Sequence, residues 1–259
     1  MRGDPRTPPE PGAFEREWRR RFERFARDAT TEHHVSGWSE AGLRRRIRAF
    51  GELMTPVPLA SGSRVLDLGS GAGTYVRLLS SHGHRAVGVD YSIPSLKRSI
   101  EADPERLGRY LCGDAYSLPF RDESFELLVM IGIFQALGEP ARALTEARRV
   151  LRPGGHLVLE ILNANEILIR ARTLLERTRH ENAGVRTFGR SQMTRWIRAA
   201  GLRPLRHVPV FLPPRNLPGL EPWMDHPVPR FFLRTVPGCA DLGAPSFLLL
   251  ARRDGEAGQ

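Results

Sequence analysis

The chain has 259 residues, 41% hydrophobic and 26% charged, with a formal net charge of +10. That length fits one large α/β domain with a decorated periphery, or at most two small domains. The two distant cysteines, Cys112 and Cys239, exclude a CxxC pair and a disulfide framework. The charge favours anionic partners. Yet Lys97 is the only lysine among 39 basic residues, which reads as a compositional preference for arginine rather than a built basic patch. Nucleic acid is therefore disfavoured as a partner. The first residues hold no apolar signal core, and no run of 18 apolar residues follows. Neither secretion nor a membrane span is expected, and the setting is expected to be cytoplasmic and reducing.

Residues 1–13 are proline-rich and polar and read as a disordered tail. From about Phe14 to Ala29, Trp18, Phe22 and Phe25 recur at helical spacing. Glu40–Met54 is a second helix with Leu43, Ile47 and Phe50 on one face, broken by "TPVPLASGS". Residues 14–56 thus read as an N-terminal helical lid, ahead of a main domain over 57–253. In that domain strands and helices alternate. Arg64–Leu68, Ala86–Asp90, Tyr110–Cys112, Phe125–Ile131 and His156–Leu162 read as strands. Helices fall at Thr74–Ser81, after the N-cap Ser92, and at Pro140–Leu151, where "RPGG" is expected to turn the chain into the next strand. Asn165–Arg179 and Ser191–Ala200 look helical; Leu205–Phe211 and "SFLLLARR" look like strands. Between those two strands a proline- and aromatic-rich stretch, about 212–242, reads as an insert. This order predicts a Rossmann-like, seven-stranded, mainly parallel sheet with helices on both faces.

Asp67 precedes the loop Gly69, Ser70, Gly71, Ala72, Gly73. A Walker loop would need GxxxxGK, and here Thr74 and Tyr75 follow instead. A dinucleotide loop would read GxGxxG, whereas this one is GxGxG. Asp67 is costly inside a strand unless it has partners. Asp90 ends the second strand, where a carboxylate can accept both hydroxyls of a ribose, and Asp114 ends the third. Three acids at three successive strand ends form one rim of a crevice.

The segments "VLDLGSGAGTY", "VGVDYS", "GDAYSLPF", "FELLVMIGIFQAL" and "ARRVLRPGGHLVLEI" occur in an order and spacing that resembles the class I S-adenosylmethionine-dependent methyltransferases, most of all the ubiquinone-biosynthesis-type branch that acts on small molecules. The resemblance covers roughly Ser61 to Ile161. It implies S-adenosyl-L-methionine as cofactor. It also implies that Asp67 and the backbone of Gly69, Ser70, Gly71 and Gly73 hold the methionine end. Asp90 would bind the ribose, Tyr91 would pack on the adenine, and Asp114 would accept from the adenine amino group, with the Ala115 N–H near a ring nitrogen. Ile131 and Gly132 would lie beside the methionine chain. Asp90 also reads as a helix cap, Tyr91 as plain core and Asp114 as a turn residue.

Methyl transfer from a sulfonium is an in-line displacement in which the enzyme mainly aligns the partners. Candidate bases are His33 and His34, between the N-terminal helices, with loop residues in solvent as the plainer reading. His226 and Glu160 are further candidates. Many relatives place a histidine after the fourth strand; here "GIFQALGEP" stands instead, and Gln135 is a candidate to orient a substrate. No cluster of His, Asp, Glu or Cys suggests a metal. "MIGIFQ" stands where amino-directed nucleic-acid methyltransferases carry a Pro-Pro-aromatic segment, which disfavours base methylation. The expected substrate is a small, partly apolar molecule, methylated on oxygen or carbon, from secondary-metabolite, lipid or glycan assembly. RNA or protein methylation, or a non-catalytic cofactor-binding role within a complex, is the alternative. "PRFFLRTVPG" leaves a peripheral membrane contact open, and oligomeric state is open as well.

Overall fold

The computed structural model describes residues 12–167, 185–211 and 238–255. Three helices come first: α1 (Ala13–Asp28), α2 (Glu32–Val35) and α3 (Glu40–Met54). Strands and helices then alternate: β1 (Arg64–Leu68), α4 (Thr74–Ser81), β2 (Arg85–Asp90), α5 (Ile93–Glu101), β3 (Arg109–Cys112) and β4 (Phe125–Met130). A 3₁₀ turn, Phe134–Ala136, leads to α6 (Pro140–Val150) and β5 (Leu151–Leu162). Last come α7 (Arg190–Ala199), β6 (Leu202–Val210), α8 (Cys239–Gly243) and β7 (Ser246–Arg253).

The seven strands form one sheet in the order β3-β2-β1-β4-β5-β7-β6. The first five are parallel, and β7 runs antiparallel between β5 and β6. Because β1 lies between β2 and β4, the order reverses there. The crevice therefore opens above the carboxyl ends of β1 and β4, where open α/β sheets bind ligands. Successive strand residues point to opposite faces. Leu128, Met130, Leu157 and Leu159 pack with Leu144 of α6 and Ile197 of α7 on one face. Leu127, Val129 and Val158 pack with Phe50 of α3 and Val76 of α4 on the other. Burial on both faces is why these strands read as continuous apolar runs.

Two strand starts differ from expectation by more than one residue. β5 starts at Leu151, so "RPGG" lies inside the strand rather than forming a turn. The pairing shifts register between Phe125 and Leu127, and a Cβ on Gly155 would come 2.9 Å from the Arg152 carbonyl oxygen. Glycine makes this bulge sterically feasible. β6 starts at Leu202, with a register shift between Pro204 and Arg206. As an edge strand it can carry prolines that donate no hydrogen bond. The short helices α2 and α8 were not foreseen. Most of the expected Asn165–Arg179 helix, most of the 212–242 insert with His226, and most of the N-terminal tail lie outside the described residues. Among the described residues no helix is long and apolar enough to cross a membrane.

Candidate active site

The glycine loop turns its own amides inward. Gly69 and Ser70 N–H groups donate to the Val89 carbonyl at 2.7 and 3.1 Å, and Gly73 N–H donates to Ser70 at 2.7 Å. Gly71 N–H donates to Asp90 Oδ2 at 2.9 Å. Positive φ at Gly69, Gly71 and Gly73 makes this path accessible without side-chain strain. A phosphate cradle needs free N–H groups pointing at the ligand; here four of five amides are consumed. The Ser70 side chain is also turned away, since a Cβ on Gly88 would come 2.8 Å from its Oγ. Any part played by Ser70 is therefore a backbone one.

What the crevice offers is acceptors. Asp67 is 2% exposed, and its Oδ2 is buried with no hydrogen-bond partner. Burial, aided by repulsion from Asp90, pushes its carboxyl up to about 8. Asp90 accepts from Gly71 N–H and, at 2.8 Å, from Ser92 N–H. Burial raises its pKa and these backbone bonds partly oppose the rise. Each of its oxygens keeps a second lone pair for a hydroxyl donor. Asp114 is exposed and accepts from Tyr116 N–H at 3.0 Å, an Asx-turn that presents it at the rim with Ala115 buried behind it. Ile131 is buried just after β4, followed by Gly132 at φ 80°. Tyr91 carries the Arg19 guanidinium over its ring at 5.5 Å, and Arg19 donates to its carbonyl at 2.9 Å. One face of that ring is thus covered by α1.

The N-terminal helices sit directly on the loop. A Cβ on Gly71 would come 3.2 Å from Ser36 Oγ, and one on Gly132 would come 2.5 Å from Cζ2 of Trp38. The Arg46 guanidinium lies 4.3 Å from the Trp38 ring centre. Arg46, 3% exposed, donates from Nε to both oxygens of Glu160, 1% exposed, at 2.9 and 3.1 Å. Glu160 is therefore one half of a buried ion pair rather than a free base. The Tyr75 hydroxyl is buried nearby without a partner, and burial, then Glu160, raises its pKa. At the other end of the cover, Glu32 of α2 accepts from Thr74 Oγ1 and from Arg77 of α4. Sequence reasoning missed Trp38, Arg46 and Tyr75. Arg46 had a readable signal: it falls on the apolar face set by Leu43, Ile47 and Phe50.

The three candidate catalytic residues form no hydrogen bond with the acids among the described residues. His33 and His34 are in α2, with ring centres 4.4 Å apart. Their ring nitrogens bond the hydroxyls of Thr31 and Thr30 in the same segment, both at 3.2 Å. Gln135 donates from Nε2 to the Gly132 carbonyl at 2.6 Å and so braces the turn after β4. Among the described residues no group of three His, Cys, Asp or Glu side chains could hold a metal ion.

Residues 66–159 match the family model described as a methyltransferase domain. Over 118 residues the chain is 35% identical to demethylmenaquinone methyltransferase from Renibacterium salmoninarum, covering 46% of this chain and 48% of that protein. The fold is similar to a chain from the complex between the Haloferax volcanii Trm112 methyltransferase activator and a methyltransferase: TM-score 0.63, 19% identity, covering 90% of this chain and 97% of that one. It is also similar to a SAM-dependent methyltransferase from Methanosarcina mazei: TM-score 0.60, 19% identity, covering 76% and 95%. The matched segment is a methyltransferase domain and the fold is that of class I methyltransferases, the class whose cofactor is S-adenosylmethionine. The chain is also 31% identical over 150 residues to demethylmenaquinone methyltransferase from Roseiflexus sp. (strain RS-1), covering 57% of this chain and 62% of that protein. It spans about half the length of the curated relatives it matches.

Proposed function

We propose that this chain transfers the methyl group of S-adenosylmethionine to a small, partly apolar molecule, at carbon or oxygen. The observation that carries the reading is the partnerless Oδ2 of Asp67, buried beneath a loop whose amides are spent. A buried acceptor without a donor is costly unless a ligand supplies one. A cationic ligand with an ammonium group fits it, and an anionic one does not. Asp90 and Asp114 add acceptors suited to ribose hydroxyls and an exocyclic amine. Bound there, S-adenosylmethionine supplies an already activated methyl group. The chain's residues would then bind, align and exclude water.

Glu160 is taken up by Arg46, and one nitrogen of each histidine ring is bonded within its own segment. That favours an acceptor needing little help from a base, such as an electron-rich ring carbon or an acidic hydroxyl. The name of the R. salmoninarum relative points to the same class of apolar, quinone-like acceptor. Gln135 is proposed as a positioning residue through its hold on Gly132.

Calorimetry with S-adenosylmethionine tests the cofactor part. Micromolar-range binding by the parent and its loss in Asp90→Ala are expected; no binding by the parent sinks the proposal. Turnover of labelled methyl groups into a panel of phenols, quinols and amines tests the acceptor. Transfer confined to amines would overturn the carbon-or-oxygen assignment.

A further inference from the structure

A cavity of about 450 Å³ lies at the far edge of the sheet. It is lined by Arg190, Ser191, Thr194, Arg195 and Arg198 around α7, with His207 of β6 and Leu249 of β7. Ser191, Thr194, Arg195 and Arg198 are spaced three, one and three residues apart, so they form one stripe of the helix. Met193 and Ile197 are buried in the core on its other side. The cavity lies beyond β5 and β7 from the methyl-donor crevice. At about 4.8 Å per strand, β6 is roughly 15 Å from β4.

The charges in this cavity do not cancel. Arg190 is committed: its Nε and Nη2 donate to the two carboxylate oxygens of Asp241 at 2.7 and 2.6 Å, and its Nη1 meets Nε2 of His207. Burial, then Arg190, lowers the His207 pKa, so the ring is neutral. Arg195 and Arg198 are exposed and form no ion pair among the described residues. Among the described residues Asp241 balances Arg190, which leaves two positive charges without an ion pair and two hydroxyls beside them.

We propose that this cavity binds a phosphate group, distinct from the methyl-donor site. Two guanidinium groups match a phosphate dianion in charge, and their planar forks match its oxygens in geometry. Two arginines and two hydroxyls also supply more donors than one carboxylate can accept. The volume leaves room for whatever carries the phosphate. A free phosphate compound and a phospholipid headgroup offer the same chemistry. The exposed Leu205 and Leu242, sequence neighbours of Arg206 and Asp241, are compatible with the second source.

The probes are inorganic pyrophosphate, followed by calorimetry at low salt, and phosphatidylcholine vesicles with or without phosphatidic acid, followed by sedimentation. Arg195→Gln/Arg198→Gln in the full chain is expected to weaken binding at least about tenfold, the scale of losing charge-assisted hydrogen bonds. Thr194→Trp, which fills the cavity and keeps its charge, is expected to weaken it as well. Asp90→Ala should leave it unchanged, which separates this site from the methyl-donor reading. Pyrophosphate binding lost in these variants assigns a free phosphate ligand. Vesicle binding that needs phosphatidic acid and is lost in the same variants assigns a headgroup. No binding of either probe by the parent protein, or undiminished binding in both variants, overturns the proposal. The altered side chains lie on the polar stripe of α7, and unchanged thermal melting verifies that the variants fold.

Discussion

Between Gly69 and Gly73 the chain bonds to itself and to the end of β2, whereas the helices above that loop are held by side chains distant in sequence. Arg46 reaches Glu160 across 114 residues, and Glu32 reaches Thr74 and Arg77 across 42 and 45. The loop is a rigid backbone shape whose function depends on its outline. The cover is fastened by discrete side-chain contacts, on top of the apolar face that α3 packs against the sheet. Such a division suits an enzyme that must admit a cofactor and a substrate and then exclude water.

The sharpest way to break the comparison is at the buried pair. Glu160→Ala strands the Arg46 charge in the interior and should cost about 3–5 kcal/mol in urea unfolding. Replacing both partners, Arg46→Met/Glu160→Leu, should recover most of that loss. If the single variant loses under about 1 kcal/mol, the pair is not what fastens the cover. Next in size is a pH effect at the loop. The folded protein keeps the Asp67 proton up to about 8, whereas the unfolded chain loses it near the ordinary carboxylate value of 3.8. Between those values rising pH favours the unfolded state, so stability should fall by up to about 1.4 kcal/mol per pH unit and level off above 8. Asp90 contributes in the same direction. Asp67→Asn should flatten the slope in thermal melts of the ligand-free protein between pH 6 and 8; an unchanged slope would remove Asp67 as its source. The same proton should leave when S-adenosylmethionine binds near neutral pH, making the binding heat depend on buffer ionisation.

The contrast also explains what could be read from the sequence. β1, α3, α4 and β7 have the bounds expected of them, because periodicity, N-cap serines and glycines are local signals. Asp67, Asp90 and Asp114 could be proposed from the sequence because each falls within two residues of a strand's carboxyl end, and parallel topology puts those ends on one side of the sheet. The use of the loop amides was not legible: it depends on Val89 lying beside Gly69, a pairing across strands. Nor was the cover. Trp38 falls in no motif, and its contact with Gly132 joins residues 94 apart in sequence. The histidine pair drew attention by its chemistry; in the structure one nitrogen of each ring bonds a neighbouring threonine. The "RPGG" turn was misread because glycines that permit a bulge look the same as glycines that end an element.

A smaller effect is expected at the point where loop and cover touch. Gly71 has φ 53° and lies under Ser36. Gly71→Val should lower S-adenosylmethionine affinity at least tenfold, or about 1.4 kcal/mol or more, while circular dichroism shows the sheet intact. Unchanged affinity would mean the loop outline does not shape the methyl-donor site.

The smallest effect tests whether the cover is energetically separate from the loop. Ser39 caps α3, accepting from Gly42 N–H at 3.1 Å. Ser39→Ala should cost about 1 kcal/mol, the usual worth of such a cap. The loss falls on the helix that carries Arg46, seven residues further on, and not on the loop. Hydrogen exchange should therefore quicken in Glu40–Met54 while amides at Gly69–Gly73 keep their protection, because their acceptors at Val89, Ser70 and Asp90 are untouched. Matched quickening in both segments would mean that cover and loop open as one unit, and the division between a rigid outline and a movable lid would fail.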